Sequence, residues 1–280
     1  MAKKRLILLG VGQTATEVIN SARDQYDEII GTTRDARKLN LFQVYGIGSL
    51  LLDGEGIKKL GSICDGADVL ISFPPDGRSD QELAQESVKA RALIYISSTG
   101  VYGKQSGVID ESSIVEPEFP GAQARLDAEK IWSSVGAIIL RAPGLYSETS
   151  GLHLRLTAGT YRLPGNGERF TSRIHLKDLA RIIIASFQKP LPKGSIYLVG
   201  DQLPTTQKEI ITWLCSQMNL AMPESVPLEA VSPTLRGNRQ VSAQKILDEL
   251  QLDLKFPTYK EGYGDCLKVY AEGSSINANN

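Results

Sequence analysis

The residues with the clearest chemical capacity stand near the start of the chain. An apolar run through Leu9 passes directly into Gly10-Val-Gly12-Gln13-Thr-Ala15 and then into a helical pattern. Strand, G-x-G-x-x-A and helix in that order make the first turn of a dinucleotide-binding unit. Gly10 permits the tight turn. Gly12, with Gln13 behind it, lets main-chain N–H groups approach a pyrophosphate, and Ala15 keeps the helix close to the sheet. The next apolar run ends in Gly31-Thr-Thr-Arg34, with Arg37 and Lys38 close behind. An acid at this place commonly bonds the ribose hydroxyls of NAD. A guanidinium instead attracts a 2′-phosphate, so NADP is expected here, with NAD the lesser option. The competing reading of Arg34 is a solvated surface side chain.

Two further segments follow the third and fourth apolar runs. Asp53 is suited to face an adenine edge or, nearly as well, to form an Asp-Gly turn. Phe73-Pro74-Pro75 has its backbone fixed by two prolines and is expected beside the pyrophosphate and ribose; an ordinary rigid loop is the alternative.

The elements that must position these residues can be read from the periodicity. Short apolar runs at Leu6–Leu9, Glu28–Thr32, Ser49–Leu52, Val69–Ser72, Leu93–Ser97 and Ala137–Leu140 are expected strands. Helical patterns lie between them at Gln13–Asp24, Asp35–Tyr45, Gly56–Cys64, Ser79–Ala90 and Ala122–Ser134. This alternation predicts an α/β fold, a Rossmann-type doubly wound parallel sheet whose ligands bind beyond the C-terminal strand ends. Past Arg141 the pattern loosens. Helices are expected at Gly151–Thr160, Leu176–Gln188, Gln207–Asn219 and Ser242–Leu250, a strand at Ser195–Val199, and a turn-rich loop at Leu163–Glu168. The tail from Glu272 has little to bury and reads as frayed. The division expected is a Rossmann domain over residues 1–150, to which 174–203 return. Residues 151–173 and 204–280 then form a small, interleaved, C-terminal substrate lobe.

Composition narrows the function classes. The chain has 280 residues, enough for a substantial core, and 31 basic residues against 32 acidic with no long block of one sign. A nucleic-acid groove or a polybasic membrane patch is therefore not expected. Cys64, Cys215 and Cys266 are scattered and in no metal spacing; they read as reduced thiols of a cytoplasmic protein, and no metal is expected. Lys3-Lys4-Arg5 followed by an apolar run has the look of a signal peptide. The run is short and no clean cleavage site follows, so a buried strand is the reading. No stretch reaches the roughly 18 apolar residues of a spanning helix.

The later segments resemble a known family. Tyr95-Ile-Ser97-Ser98-Thr99-Gly-Val101-Tyr102-Gly103, followed by Val108-Ile-Asp-Glu111 and Pro117, is similar to the extended short-chain dehydrogenase/reductases, the NAD(P)-dependent epimerase/dehydratase group. Leu140-Arg141-Ala142-Pro143-Gly144-Leu-Tyr146, Arg173-Ile-His175-Leu-Lys-Asp178 and Ile196-Tyr-Leu-Val-Gly-Asp201 continue the resemblance. It covers about residues 5–215. It implies that Ser97 and the Ala142-Pro143-Gly144 backbone border the cofactor, and that Ser98 orients a substrate oxygen. Thr99, Tyr146, Arg173 and His175 then fall on the substrate side; His175 and Asp178 also match positions that tie loops together.

One departure governs the chemistry. Members of the group carry Y-x-x-x-K, whose Tyr acts as general acid/base. With Glu129 registered on the family's helical Glu, Gly121 stands at the Tyr position and Arg125 at the Lys position. Arg125 retains a charge for a ribose hydroxyl but cannot shuttle a proton, since guanidinium stays protonated. Tyr102 is the nearest acid of the right type, with Tyr146, Tyr161, His153 and His175 behind it. Arg155, Arg162, Arg169 and Arg173 surround the Leu163–Glu168 loop and suit a substrate carboxylate or phosphate, or simply a solvated face.

The resemblance thus implies an atypical NADP-dependent oxidoreductase or epimerase-like enzyme acting on a small polar carbonyl or hydroxyl substrate. The rival readings are a catalytically inactive NADP(H) sensor and a redox-neutral isomerase or cyclase that retains the cofactor. Family members often dimerise through two helices flanking the sheet, here Ser79–Ala90 and Ala122–Ser134, which leaves a homodimer open to this chain.

Overall fold

Leu6, Ile7, Leu8 and Leu9 have no exposed surface, as a strand covered on both faces requires. The computed structural model describes residues 3–277, with side chains described through residue 268. The chain divides into two units. The first comprises Met1–Ser98, Pro120–Arg141 and Leu179–Tyr197, the second Thr99–Phe119, Ala142–Asp178 and Leu198–Asn280. Residues 99–119 and 142–150 therefore group with the second unit.

The expected alternation is realised, mostly within the first unit, as β1 (Arg5–Leu9), α1 (Gln13–Ala22), β2 (Glu28–Thr33), α2 (Leu39–Val44), β3 (Gly48–Leu51), α3 (Gly54–Cys64), β4 (Asp68–Ile71), α4 (Ser79–Glu86), β5 (Ala92–Ser98), α5 (Pro120–Ser134), β6 (Ile138–Ala142), α6 (Leu176–Gln188) and β7 (Ile196–Leu198). The seven strands are ordered β7-β6-β5-β4-β1-β2-β3. The β1–β2, β2–β3, β1–β4 and β4–β5 pairings are all parallel. Leaving β3, the chain crosses to the far side of β1 to lay down β4. The strand order reverses there, and the ends of β1 and β4 diverge into a crevice. Ile7, Leu9, Val69, Ile71, Leu93, Tyr95 and Ile139 of the sheet pack with Leu60 of α3, Leu83 of α4 and Trp132 of α5 in one apolar cluster.

The second unit is built from short pairings. Gly144–Tyr146 lies parallel to Arg173–His175, and Asn238–Val241 lies parallel to Ser106–Ile109. Helices span Leu152–Thr157, Gln207–Met218, Gln244–Leu250 and Tyr259–Asn277. The Gln207–Met218 helix starts at a capping box: Thr206 Oγ1 accepts the amide of Glu209, whose carboxylate accepts the amide of Thr206 at 2.9 Å. Tyr146, Leu156, Tyr161, Leu163, Ile211, Leu214, Tyr263 and Cys266 form its core.

The C-terminal helix escapes the sequence pattern because Gly262 and Gly264 lower its intrinsic propensity. Gly262 is there for space. A Cβ on it would lie 1.9 Å from Tyr146 Oη, so only glycine lets this helix seat against that ring. The helix continues to Asn277, across most of the segment read as a frayed tail; residues 278–280 lie outside the described residues. Among the described residues no helix is long and apolar enough to cross a membrane.

Candidate functional site

The crevice between β1 and β4 is where the first motif falls. Gly10 has φ +88°, and a Cβ there would stand 2.9 Å from Phe73 Cβ and 3.1 Å from the Phe73 amide nitrogen. The turn is pinned further by Ser72 Oγ, which donates to the Gly10 carbonyl at 2.9 Å. Gly12 differs: its φ is −107°, and nothing lies within 4 Å of the place its Cβ would take. The first glycine is thus demanded by the protein itself, whereas the second keeps open space in front of the α1 N-terminus. No side chain caps that end, and no acid sits in its first turn. The exposed Gln13 begins the helix, and Ala15 is fully buried behind it. A helix N-terminus so arranged favours an anion.

This asymmetry has a measurable consequence. Gly10→Ala is expected to lower stability by about 3 kcal/mol, from left-handed strain together with overpacking on Phe73. Gly12→Ala is expected to lower it by less than about 1 kcal/mol. Urea denaturation of the two variants checks this, and equal losses would contradict it.

Beside the turn lies a cavity of about 420 Å³, lined among others by Gly10, Thr32, Arg34, Lys38, Phe73, Pro74, Pro75 and Asp76. Five residues singled out in the sequence as cofactor contacts, Gly10, Arg34, Phe73, Pro74 and Pro75, are thereby brought together. Val11, Phe42, Tyr45 and Leu52 add apolar wall. The cavity thus has the mixed character of a small-molecule site, mainly apolar with a few charged groups. Arg34 is ion-paired with Asp76. Although partial desolvation opposes ionisation, the amides of Ser79 and Arg78 and the Arg34 guanidinium hold the Asp76 carboxyl well below the usual carboxylate range. Sequence reasoning missed Asp76, whose one signal is a Pro-Pro-Asp-Gly turn. Arg37 does not line the cavity. It is paired with Asp35, with Nε at 2.9 Å from Oδ1 and Nη2 at 2.8 Å from Oδ2. Asp53 also lies outside the cavity lining and takes the turn-forming role, capping α3 with Oδ1 accepting the Gly56 amide at 2.8 Å.

At the end of β5 the neighbouring residues face different surroundings. Ser97 is buried and its hydroxyl donates to Glu129, which also holds Arg141 through Nε at 3.0 Å and Nη2 at 2.7 Å. Its side chain is therefore turned into the core of the first unit. Ser98 is half-buried and ends the strand. On α5, Gly121, Arg125 and Glu129 are spaced by one turn each and share a face. Arg125 donates through Nη1 to Tyr95 Oη and to the Ile96 carbonyl, both at 3.1 Å, and its guanidinium lies 5.8 Å from the Tyr95 ring centre. Burial pushes the Tyr95 phenol up to about 12 despite that cation.

The candidates in the second unit are largely interior. Thr99 and Tyr102 are buried, and Tyr102 Oη donates to the Asp110 carbonyl at 3.0 Å. Tyr146 has no exposed surface, stacks on Tyr263 with ring centres 4.2 Å apart, and its hydroxyl has no hydrogen-bond partner. It belongs to the core of the second unit. Ala142 is buried, Pro143 half-buried and Gly144 exposed; a Cβ on Gly144 would meet Arg173 Nη1 at 3.0 Å. Arg173 is 9% exposed with Nε unpartnered. The arginines grouped with it are held separately. Arg155 lies over the Tyr161 ring, Arg162 donates to the Gly159 and Tyr161 carbonyls, and Arg169 donates to the Arg236 carbonyl.

His175 is buried against Phe256, accepts the Lys177 amide at Nδ1, and has Cys266 Sγ 3.5 Å from Nε2. Desolvation pushes its pKa down to about 4, so it is neutral at pH 7 and positioned for packing. Nearby, Asp178 accepts the amides of Lys255 and Phe256 at 2.7 and 2.8 Å, which is the loop-tying role. Glu148, His175 and Asp265 place potential ligand atoms within 4.8 Å of one another, but the Lys177 ammonium ion-pairs with both carboxylates. One cation is thereby shared between the two carboxylates.

No family model and no curated protein matches the chain. Solved structures do. A functionally unknown conserved protein from Silicibacter pomeroyi superposes with a TM-score of 0.82 at 28% identity, over 95% of this chain and 98% of that one. The UDP-glucuronic acid 4-epimerase of Bacillus cereus, solved with NAD, gives 0.77 at 16% identity over 95% and 99%. The dTDP-glucose 4,6-dehydratase of Bacillus anthracis, also solved with NAD, gives 0.79 at 16% identity over 98% and 98%. The chain has the Rossmann-like fold of the epimerase/dehydratase, or extended short-chain dehydrogenase/reductase, proteins.

Proposed function

We propose that this chain binds a nicotinamide dinucleotide, NADP in preference to NAD, and acts as an atypical oxidoreductase or epimerase-like enzyme on a small polar carbonyl or hydroxyl substrate. The observation that carries the reading is the pairing of Gly10, forced against Phe73, with an uncrowded Gly12 at an uncapped helix N-terminus. Open space before Gly12, and a cavity alongside with Arg34 and Lys38 in its wall, fit a diphosphate and a phosphorylated adenosine ribose. When bound, the nicotinamide supplies a hydride donor or acceptor. The chain's own residues bind and orient: α1 amides hold the diphosphate, Arg34 and Lys38 hold the ribose end, and Ser98 positions a substrate oxygen.

Calorimetry with NADPH and NADH tests the binding. Gly12→Ala is expected to weaken NADPH at least tenfold with little change in melting temperature, since its methyl enters only the ligand's space. Full affinity in that variant, or no heat with either nucleotide, would sink the reading. A panel of carbonyl and nucleotide-sugar substrates, followed by cofactor absorbance, then tests turnover.

A second reading is favoured by specific residues. Gly121 stands at the position of the proton-donating Tyr, Tyr102 Oη donates to a main-chain carbonyl, and Arg125 remains cationic. These features suit a protein that binds NADP(H) without proton transfer and reports its redox state to a partner. A sensor requires partner affinity that differs between NADP and NADPH; equal affinity excludes that role.

A further inference from the structure

We infer that Asp76 is a specificity-determining residue, a carboxylate that competes with the cofactor's 2′-phosphate for Arg34 and instead accepts a 2′-hydroxyl. This rests on the cavity being the adenosine pocket proposed above, and it deepens that reading.

Arg34 at the tip of β2 and Asp76 in the loop after β4 are ion-paired, and both line the cavity. The carboxylate is fixed in place independently of Arg34. Its Oδ1 accepts the amides of Arg78 and Ser79 at 3.0 and 2.8 Å, and its Oδ2 accepts Ser79 Oγ at 2.9 Å. Asp76 therefore holds the entry to α4 as well as the guanidinium, and it does not swing away when a ligand arrives. Arg34, half-exposed on a long side chain, is the partner able to move.

Charge then decides the effect. The charged side chains lining the cavity are Arg34, Lys38 and Asp76, a net single positive charge. A phosphomonoester carries about 1.5–2 negative charges at neutral pH, so it meets one anchored anion beside two cations. A 2′-hydroxyl meets the same carboxylate as a hydrogen-bond acceptor. Arg34 alone would select strongly for NADP; Arg34 braced by Asp76 selects weakly and keeps NAD within reach.

Asp76→Asn removes the charge while its Oδ1 still accepts the Arg78 and Ser79 amides at the entry to α4, and its amide nitrogen cannot accept from Arg34. Asp76→Ser keeps a hydroxyl acceptor for the turn that enters α4 and removes the carboxylate, so it serves should the first variant unfold. Affinities of 2′,5′-ADP, 5′-AMP, NADP and NAD are measured by calorimetry on the wild-type chain and both variants, with thermal unfolding alongside. The expected result is a shift of the NADP-to-NAD and 2′,5′-ADP-to-5′-AMP affinity ratios toward the phosphorylated ligand by about tenfold. Unchanged ratios in a folded variant overturn the role of Asp76 and leave the adenosine pocket standing. Loss of all four ligands in a folded variant also overturns it, since Asp76 would then shape the pocket rather than choose its occupant. Wild-type protein that binds none of the four overturns the adenosine pocket itself.

Discussion

Glu129→Ala is expected to destabilise the fold by about 3–5 kcal/mol, the range for removing one partner of a buried ion pair. Glu129 and Arg141 are 3% and 4% exposed, and the carboxylate takes two guanidinium nitrogens and the Ser97 hydroxyl. Truncation leaves the guanidinium charge buried without its carboxylate. It also strips the Ser97 hydroxyl of its acceptor at the end of β5. Replacing both charged residues by methionine should recover most of the loss, because the desolvation of two ions disappears together with their attraction. Urea denaturation of the single and double variants forms the cycle. A single variant within about 1 kcal/mol of wild type would show that the pair contributes little.

Asp201→Asn is expected to stabilise the protein, increasingly so as pH rises. Asp201 is 3% exposed, its Oδ1 has no hydrogen-bond partner, and burial raises its pKa to about 8 against the lowering influence of the Leu203 amide and Arg173. In the unfolded chain a carboxyl ionises near ~3.9. The folded state therefore holds a proton that the unfolded state releases between about pH 4 and pH 8. The stability that this proton supports is complete below pH 4 and is lost as pH climbs through the folded value. Asparagine retains an acceptor oxygen for Leu203 and does not titrate. The gain over wild type should be near zero at pH 4 and reach the order of a few kcal/mol at pH 8. Denaturation at pH 5, 6, 7 and 8 reads it directly, and parallel pH profiles for the two proteins would contradict the expectation.

Much of the first unit was legible because its signals are local. Leu6–Leu9, Val69–Ile71 and Leu93–Ile96 are continuous apolar runs, and a strand buried on both faces needs nothing else. Gly10 was legible for a related reason: a turn from strand to helix in so few residues demands a positive φ. The second unit was less so. Its pairings are short, and the Tyr259–Asn277 helix contains a glycine, Gly262, whose reason is a ring more than a hundred residues away in sequence.

What the sequence determined by itself was the order of strands and helices, and with it the crevice where Gly10, Phe73 and Arg34 meet. Periodicity and chain direction act along neighbouring residues and leave little choice there. Tertiary structure alone decided which polar side chains line the cavity and which face the interior. Ser97 and Ser98 are adjacent, yet Ser97 turns inward to Glu129 because β-strand side chains alternate between faces. Tyr146 and His175 are both capable of proton chemistry but lie packed against Tyr263 and Phe256. Asp76 entered the candidate site only because the loop after β4 brings its carboxylate against Arg34 at the tip of β2, 42 positions away in the chain.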